Sequence, residues 1–204
     1  MTNDSAAHSI TMKRIWIGTL VALALGASGC AGFLDDIREH PDYSPGAVTS
    51  GFNDEYREWI VRAAEQCDAV TPELLAAQIE AESSFRSDAL SNRGAMGPSQ
   101  FIPETWATWG VDADGDGIAN PYSIPDAVTA QAAFMCENIR LSHAGVAAGS
   151  LEGDPLNLAL AAYNAGFGAV QRFGGMPEGG EYSSQTQPYV QKILDRKEHY
   201  RELL

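Results

Sequence analysis

Helix-start signals recur along this chain and limit its fold more than any other feature of the sequence. Proline occupies a start position in Thr71-Pro72, Asp154-Pro155 and Gln187-Pro188. Proline suits the first turn of a helix, where its missing N–H is not needed, and Thr or Asp before it can cap the free N–H groups. Apolar residues spaced three and four apart follow each start. We therefore predict a helix after each of these three points.

The same spacing predicts further helices elsewhere in the chain. One begins at Asn53 or Asp54, one covers Ser99–Trp109, and one runs from about Asp126 to His143. No segment of alternating apolar and polar residues is long enough to indicate a strand. With 204 residues, of which 45% are hydrophobic, the chain can form one domain plus flanking segments. The predicted fold class is all-α.

The overall charge excludes one large class of partner. Asp and Glu total 27 against 13 Lys and Arg, so the formal net charge is −14. Binding to nucleic acid phosphates needs a basic surface, and this composition does not favour one. We therefore expect no nucleic acid partner.

The amino end has the pattern of an export signal. Lys13 and Arg14 precede an apolar run over residues 15–25, which is typical of a signal peptide. The uncharged stretch continues to Leu34, so an uncleaved membrane anchor of about 20 residues stays open. Small residues before Cys30 resemble a bacterial lipobox, although Ala27 stands where Leu is usual. We expect a signal peptide over residues 1–30, with lipidation of Cys30.

The rest of the chain divides into a tether and a folded domain. Residues 31–52 are rich in Pro, Gly and Ser without a sustained period, which predicts a flexible tether. Residues 53–204 form the predicted domain. Cys67 and Cys136 lie on two of its helices. In an exported chain these two can form a disulfide, and the alternative is two buried thiols.

Glu82 is the acidic residue with the most informative position. Two residues along a helix correspond to about 200° of rotation, so Glu80 and Glu82 point in different directions. Glu82 shares a face with Gln78 and Ile79, and that face is expected to point inward. Burial disfavours the ionised form of a carboxyl and raises its pKa, which suits a proton donor. The alternative is an ordinary exposed Glu at a helix end.

Three sequence blocks around and after Glu82 carry a family resemblance. They are Glu82-Ser83 with Ser91 nine residues after the Glu, the segment Gly94-Ala95-Met96-Gly97 leading to Gln100, and the segment 162–166, which reads Ala-Tyr-Asn-Ala-Gly. Together they resemble the soluble lytic transglycosylase family, whose lysozyme-like domain cleaves bacterial peptidoglycan. The resemblance covers about residues 55–200. It implies a goose-type, lysozyme-like helical domain.

The resemblance also implies the site residues. Glu82 is implied as the single catalytic acid and base. The implied substrate-binding residues are Ser83, Ser91, Met96, Gln100, Tyr163, Asn164 and Tyr189. Tyr163 could hydrogen-bond to Glu82 or stack on a sugar, Asn164 could hold its loop, and Gln100 offers both a donor and an acceptor. Pro98-Ser99 departs from the family, which more often has Leu-Met there.

The implied reaction needs one carboxyl group. Glu82 would protonate the oxygen between N-acetylmuramic acid and N-acetylglucosamine, and would then take a proton from the muramyl C6 hydroxyl as a 1,6-anhydro ring closes. Water is not a reactant, so the second carboxylate of most glycosidases is not required. No organic cofactor is expected. The implied partners are glycan strands and, through the lipid anchor, the membrane, with the protein monomeric in the cell envelope.

An acid-rich segment after the third predicted helix indicates calcium. Asp112, Asp114 and Asp116 occupy positions 1, 3 and 5 of a loop with Gly117 at position 6, which is the opening of an EF-hand. Position 12 is Ser123 rather than Glu, so we expect that Asp126 closes a longer loop and that Ile118 contributes its carbonyl. This resembles the calcium loop of the membrane-bound lytic transglycosylase B family. The alternative is a solvated Asp/Gly-rich turn.

Two other functions stay open at this point. One is a hydrolytic muramidase of the same fold, with water as the nucleophile. The other is a non-catalytic, calcium-stabilised lipoprotein that binds the cell wall. The first differs from a transglycosylase in its products, and the second in having no need for Glu82.

Overall fold

The computed structural model describes residues 51–204. The predicted signal peptide, the lipidation of Cys30 and nearly all of the predicted tether lie outside these residues. The described part is all-α, as the sequence predicts. Its α-helices are α1 Asp54–Ala64, α2 Pro72–Ser83, α3 Pro103–Trp109, α4 Ile124–Ala147, α5 Pro155–Ala165, α6 Phe167–Phe173 and α7 Gln187–Arg201, with a π-helical turn, Tyr182–Thr186, directly before α7. Over residues 51–204, β-structure is limited to isolated bridges.

The predicted helix starts are largely correct. Proline lies in the first turn of α2, α5 and α7, and the side chain of Asp154 accepts hydrogen bonds from two backbone N–H groups of α5. The prediction for Ser99–Trp109 is wrong at its start, because Gln100 has a positive φ of 50° and α3 begins only at Pro103. Helix α6 was not predicted, since Gly166 ends α5 and the next helix begins immediately after it.

The main core lies between α1, α2, α4, α5 and α7. Helix α2 packs along α7, and α4 packs against α1 and α5. Residues 74–79 of α2 are all buried, so this helix has apolar neighbours on every side. A second, smaller cluster joins Met96, Phe101 and Trp106 to Ala130 of α4. The two clusters fix α2, α4 and α5 relative to the loop that follows α2.

A disulfide joins the segment after α1 to α4, and Cys67 lies outside the helix on which it was predicted to lie. Cys67, which follows α1, is bonded to Cys136 of α4. The predicted pairing is therefore confirmed, and the alternative of two separate thiols is excluded. None of the helices in residues 51–204 has the length and apolar character needed to cross a bilayer.

Candidate active site

A cavity of about 440 Å³ lies where α2, the loop after it, α3, α4 and α5 meet. Glu82, Gln100, Tyr163 and Asn164 are among the residues that line it. These side chains come from all three sequence blocks, which are separated by up to 82 positions. The fold thus brings together most of the predicted site residues on one concave surface.

Glu82 lies in the last turn of α2, which ends abruptly. Ser84 and Phe85 both have positive φ values, 54° and 60°, so the chain turns away directly after Ser83. Phe85 then packs in an aromatic cluster with Tyr56 and Tyr200. This turn leaves Glu82 half-buried at the cavity wall. Burial raises the pKa of the Glu82 carboxyl to about 7, against the smaller opposing effects of Tyr189 and Lys192.

A tyrosine from α7 holds the Glu82 carboxyl. The hydroxyl of Tyr189 donates a hydrogen bond to Glu82 Oε1 at 2.5 Å. Tyr189 in turn accepts a hydrogen bond from Gln78 Nε2 at 3.1 Å. The hydroxyl of Tyr163 instead donates to the backbone carbonyl of Ser99 at 2.8 Å. The hydrogen bond to Glu82 that the sequence suggested for Tyr163 is therefore made by Tyr189.

Glu80 has the opposite environment, as its position on the helix predicts. Arg196 of α7 donates two hydrogen bonds to the two carboxylate oxygens, at 2.7 and 2.9 Å. Partial burial acts to raise the pKa of Glu80, but the hydrogen bonds from Arg196 and Tyr200 and the charge of Arg196 leave it below its ordinary value. Glu80 therefore forms a structural ion pair with Arg196, and Glu82 is the carboxyl that faces the cavity.

The loop after α2 is closed by its own polar groups. Ser91 Oγ accepts a hydrogen bond from the backbone N–H of Ala95 at 2.9 Å, and Gln100 Nε2 donates to the carbonyls of Gly97 and Ala89. A Cβ atom at Gly97 would lie 1.7 Å from the carbonyl oxygen of Pro121, so no other residue fits there. Ser91 and Gln100 both line the cavity. Within residues 51–204 the Gln100 amide oxygen accepts no hydrogen bond, so it remains available as an acceptor.

Three predicted substrate-binding residues, Ser83, Met96 and Tyr189, are not among the residues that line the cavity. Met96 is fully buried in the small aromatic cluster. Ser83 donates a hydrogen bond to the carbonyl of Ile79 within α2. Met96 therefore supports the cavity wall by packing, and Ser83 satisfies its hydroxyl within its own helix.

Asn164 connects the cavity to the segment before α7. Its Oδ1 accepts a hydrogen bond from the hydroxyl of Thr186, at 2.9 Å. Thr186 is buried and ends the π-helical turn. The side chain of Asn164 thus connects the end of α5 to the π-helical turn before α7, and its role in holding its own loop stays a prediction.

The family model described as the transglycosylase SLT domain matches residues 60–184, which is more than half of the chain. The chain belongs to this family. The lysozyme-like fold predicted from the sequence is thereby confirmed. A similar solved structure is the X-ray structure of an inactive mutant of the lytic transglycosylase Slt from Pseudomonas aeruginosa, with 25% sequence identity and a TM-score of 0.49. The match covers 69% of this chain and 23% of that one.

In this SLT domain, several residues that line the cavity were not predicted from the sequence. They are Arg93, Ile102, Thr105, Phe134 and Gln185. Phe134 packs against Tyr163, with ring centroids 5.2 Å apart. The sequence carries no motif for these residues, because they come from surfaces that only the folded chain brings together.

The acid-rich segment forms a compact loop between α3 and α4. Carboxylate oxygens of Asp112, Asp114 and Asp126 lie within 4.8 Å of one another. Asp126, in the first turn of α4, is fully buried and accepts hydrogen bonds from the N–H groups of Ala113 and Asn120. Burial raises the pKa of Asp126 to about 6, and the nearby negative charges of Asp114 and Asp112 act in the same direction.

The Asp116 carboxylate is not part of that group of three carboxylates. The Asp116 carboxylate accepts a hydrogen bond from the N–H of Ile118, and Asp112 accepts three from the backbone of residues 115–117. These bonds wind the loop around its first acidic residue. The three grouped carboxylates form a set of hard oxygen donors suited to a divalent cation, whereas ligation by Asp116 and Ile118 stays a prediction.

Proposed function

We propose that this chain is a peptidoglycan lytic transglycosylase. It would cleave the β-1,4 bond between N-acetylmuramic acid and N-acetylglucosamine without water and leave 1,6-anhydro-muramyl ends. The observation that carries this proposal is that Glu82 is the only carboxylate among the described residues that line the cavity. Retaining and inverting glycosidases use two carboxyl groups that flank the scissile bond. A cavity with one carboxyl suits a reaction in which the substrate provides its own nucleophile.

The first step needs Glu82 in its protonated form. A carboxyl whose pKa lies at about 7 keeps a large fraction of its protons near neutral pH and is still a competent acid. Glu82 would give its proton to the bridging oxygen, and the bond from that oxygen to the muramyl C1 would break. The departing glycan carries the new hydroxyl, and positive charge develops at C1. The ionised Glu82 remains beside it.

The second step uses the same carboxylate as a base. The ionised Glu82 would take the proton from the muramyl C6 hydroxyl as that oxygen attacks C1. The new bond closes the 1,6-anhydro ring, and Glu82 returns to its protonated form. The Tyr189 hydrogen bond stabilises the ionised carboxylate between the two steps. Ser91, Gln100 and Asn164 are placed to contact the sugars on the cavity wall.

Product analysis tests this proposal directly. Purified sacculi are digested with residues 31–204, and the soluble fragments are analysed by mass spectrometry before and after borohydride reduction. Anhydro-muramyl ends resist reduction and lack the mass of one water, so the proposal expects these ends. Reducing muramyl ends would identify a hydrolytic muramidase. Undigested sacculi that retain bound protein would identify a binding lipoprotein.

We further propose that the protein acts in the cell envelope as a lipid-anchored enzyme. The export pattern before Cys30 and the cell-wall substrate of the proposed reaction point to the same compartment. The disulfide between Cys67 and Cys136 agrees with an oxidising environment. Metabolic labelling with a palmitate analogue, compared between the full chain and Cys30→Ser, tests the anchor. Equal labelling of both proteins would reject it.

We also propose that the loop between α3 and α4 binds calcium for structural reasons. Asp112, Asp114 and Asp126 would hold the ion, with Asp116 and Ile118 as further ligands if the loop tightens around it. Three neighbouring carboxylates, one of them fully buried, repel one another, and a divalent cation would offset that repulsion. Because Asp126 belongs to α4, the ion would tie this loop to the helix that also carries Phe134 to the cavity.

A further inference from the structure

A chain of two hydrogen bonds runs through the interior to the Glu82 carboxyl. It begins at Gln78, which lies one helical turn before Glu82 and therefore on the same side of α2. Gln78 Nε2 donates to the Tyr189 hydroxyl at 3.1 Å, and this hydroxyl donates to Glu82 Oε1 at 2.5 Å. Helix α7 supplies the tyrosine because it packs along α2.

The chemistry of these groups fixes the direction of both bonds. An amide nitrogen only donates, so the Tyr189 oxygen accepts from Gln78. A phenol has a single hydroxyl hydrogen, and with the Gln78 donor on one side that hydrogen is directed to Glu82. Glu82 Oε1 is thereby the acceptor. Oε2 accepts no hydrogen bond from the described part of the chain, so it is the oxygen that can carry a transferable proton.

We propose that Gln78 is a positioning residue that keeps the Tyr189 hydrogen on Glu82 Oε1 and so reserves Oε2 for the proton transferred to and from the glycan. Gln78 touches neither the cavity nor a sugar and acts only through Tyr189. The proposal rests on the proposed function of Glu82 as acid and base. It goes beyond that function by placing the transferable proton on Oε2 of Glu82 and by giving Gln78 the role of keeping it there.

The burial of Gln78 supports a role beyond packing. The side chain is fully buried, and within residues 51–204 its amide oxygen has no hydrogen-bond partner. A buried polar atom without a partner is unfavourable, and an apolar residue of the same size would avoid it. The single hydrogen bond to Tyr189 is thus the feature that distinguishes this glutamine from a methionine of similar shape.

The other charged and titratable groups around Glu82 do not determine which of its oxygens accepts the Tyr189 hydrogen bond. Lys192 of α7 affects the Glu82 carboxyl through its charge, and Tyr163 of α5 is close enough to be affected by the charge of Glu82. The Tyr163 hydroxyl donates to the Ser99 carbonyl instead. Glu80 on α2 is held by Arg196. Of these groups, Tyr189 makes the direct bond, and Gln78 determines its direction.

The experiment replaces Gln78 by Met, alone and together with Tyr189→Phe, in a double-mutant cycle. The pKa of Glu82 is measured by NMR titration of the 13C-labelled carboxyl, assigned with Glu82→Gln, and the pH profile of kcat/KM is measured on soluble glycan strands. Gln131→Met is the matched control, since Gln131 is an equally buried amide whose polar side-chain atoms have no partner in the described residues.

The proposal expects a specific pattern. Gln78→Met raises the pKa of Glu82, because Tyr189 becomes a weaker donor, and lowers kcat several-fold with little change in KM. Tyr189→Phe raises the pKa further, and adding Gln78→Met to it has no additional effect. Gln131→Met leaves the titration unchanged, and the melting temperature of Gln78→Met does not fall.

Two results would overturn the proposal. One is an unchanged Glu82 titration in Gln78→Met, and the other is an equal shift in the Tyr189→Phe background, which would assign Gln78 a merely structural effect. The NMR readout does not depend on turnover. Failure of the proposed function would therefore appear as inactive wild-type protein, whereas failure of this inference would appear as an unaltered titration in an active enzyme.

Discussion

The cavity around Glu82 and the acidic loop between α3 and α4 each contain a carboxyl whose pKa burial raises, but they are built differently. Glu82 receives one hydrogen bond from a side chain, that of Tyr189. Asp126 receives two from backbone N–H groups and lies against the carboxylates of Asp112 and Asp114. Backbone donors and grouped acids favour an ionised carboxylate beside a cation, whereas a lone desolvated carboxyl favours exchange of a proton.

A raised pKa therefore identifies a catalytic acid only together with the groups that surround the carboxyl. Both shifts have burial as their largest cause. At Glu82 the remaining influences lower the pKa only partly, and the carboxyl opens onto a cavity of about 440 Å³. At Asp126 the negative charges of Asp112 and Asp114 also raise the pKa, and a bound cation would instead lower it. We therefore assign proton transfer to Glu82 in the cavity and the structural ion to the loop that contains Asp126.

Substitution of Glu82 provides the strongest test of this contrast. Glu82→Gln removes the transferable proton while its amide oxygen can still accept from Tyr189, so turnover of sacculi should fall by about 10²–10⁴-fold. Glu80→Gln is the matched control on the same helix end, and it should retain turnover within a few-fold because Glu80 faces Arg196. Release of soluble fragments measures both. Turnover by Glu82→Gln close to that of the wild type would remove Glu82 from the mechanism.

The pH dependence of stability should differ between Glu82 and Glu80, whose pKa values shift in opposite directions. The pKa of Glu82 is 4.5 in an ordinary environment and about 7 in the folded chain. Between these values the unfolded chain loses the proton while the folded chain keeps it, so the free energy of unfolding falls as pH rises. Above pH 7 the cost reaches about 3 kcal/mol. Glu82→Gln should therefore be more stable than the wild type at pH 8 and equal to it at pH 4.

Denaturant unfolding at several pH values measures this effect, with Glu80→Gln again as the control. The pKa of Glu80 is lowered in the folded chain, so its contribution has the opposite sign: it stabilises at neutral pH and is lost on acidification. A Glu82→Gln variant whose stability falls with pH as steeply as that of the wild type would contradict the assigned burial.

Calcium should affect the loop and leave the chemistry of the cavity intact. If the ion is present at about 100 times its dissociation constant, it stabilises the fold by about 2.7 kcal/mol. Chelation should lower the melting temperature accordingly, and Asp114→Asn should remove this response. Asp116→Asn separates the two possible ligand sets, because Asp116 lies outside the group of converging carboxylates. Calorimetry with and without chelator measures the response, and an unresponsive wild-type protein would reject the site.

Much of this architecture could be predicted from local chemistry. Proline marked three helix starts, although of these only Asp154 caps its helix with its side chain and the predicted cap at Thr71 is wrong, and the helical period separated the direction of Glu82 from that of Glu80. The failures have physical reasons. A positive φ at Gln100 delays α3, and no local pattern marks α6, which begins directly after Gly166. Contacts such as those of Tyr189 with Glu82 and Thr186 with Asn164 depend on tertiary packing, which no local pattern specifies.

The smallest expected effect concerns the cavity wall rather than its centre. Thr186→Val keeps the shape of the buried side chain but removes its hydrogen bond to Asn164 Oδ1. The lost hydrogen bond should lower the free energy of unfolding by about 1 kcal/mol. It should also raise KM for glycan strands with kcat nearly unchanged, because Asn164 lines the cavity without touching the Glu82 carboxyl. Thr108→Val, on the exposed side of α3, is the control. A fall in kcat with an unchanged KM would instead mean that Asn164 takes part in the chemical step together with Glu82, and would contradict its role as a residue that only binds the glycan.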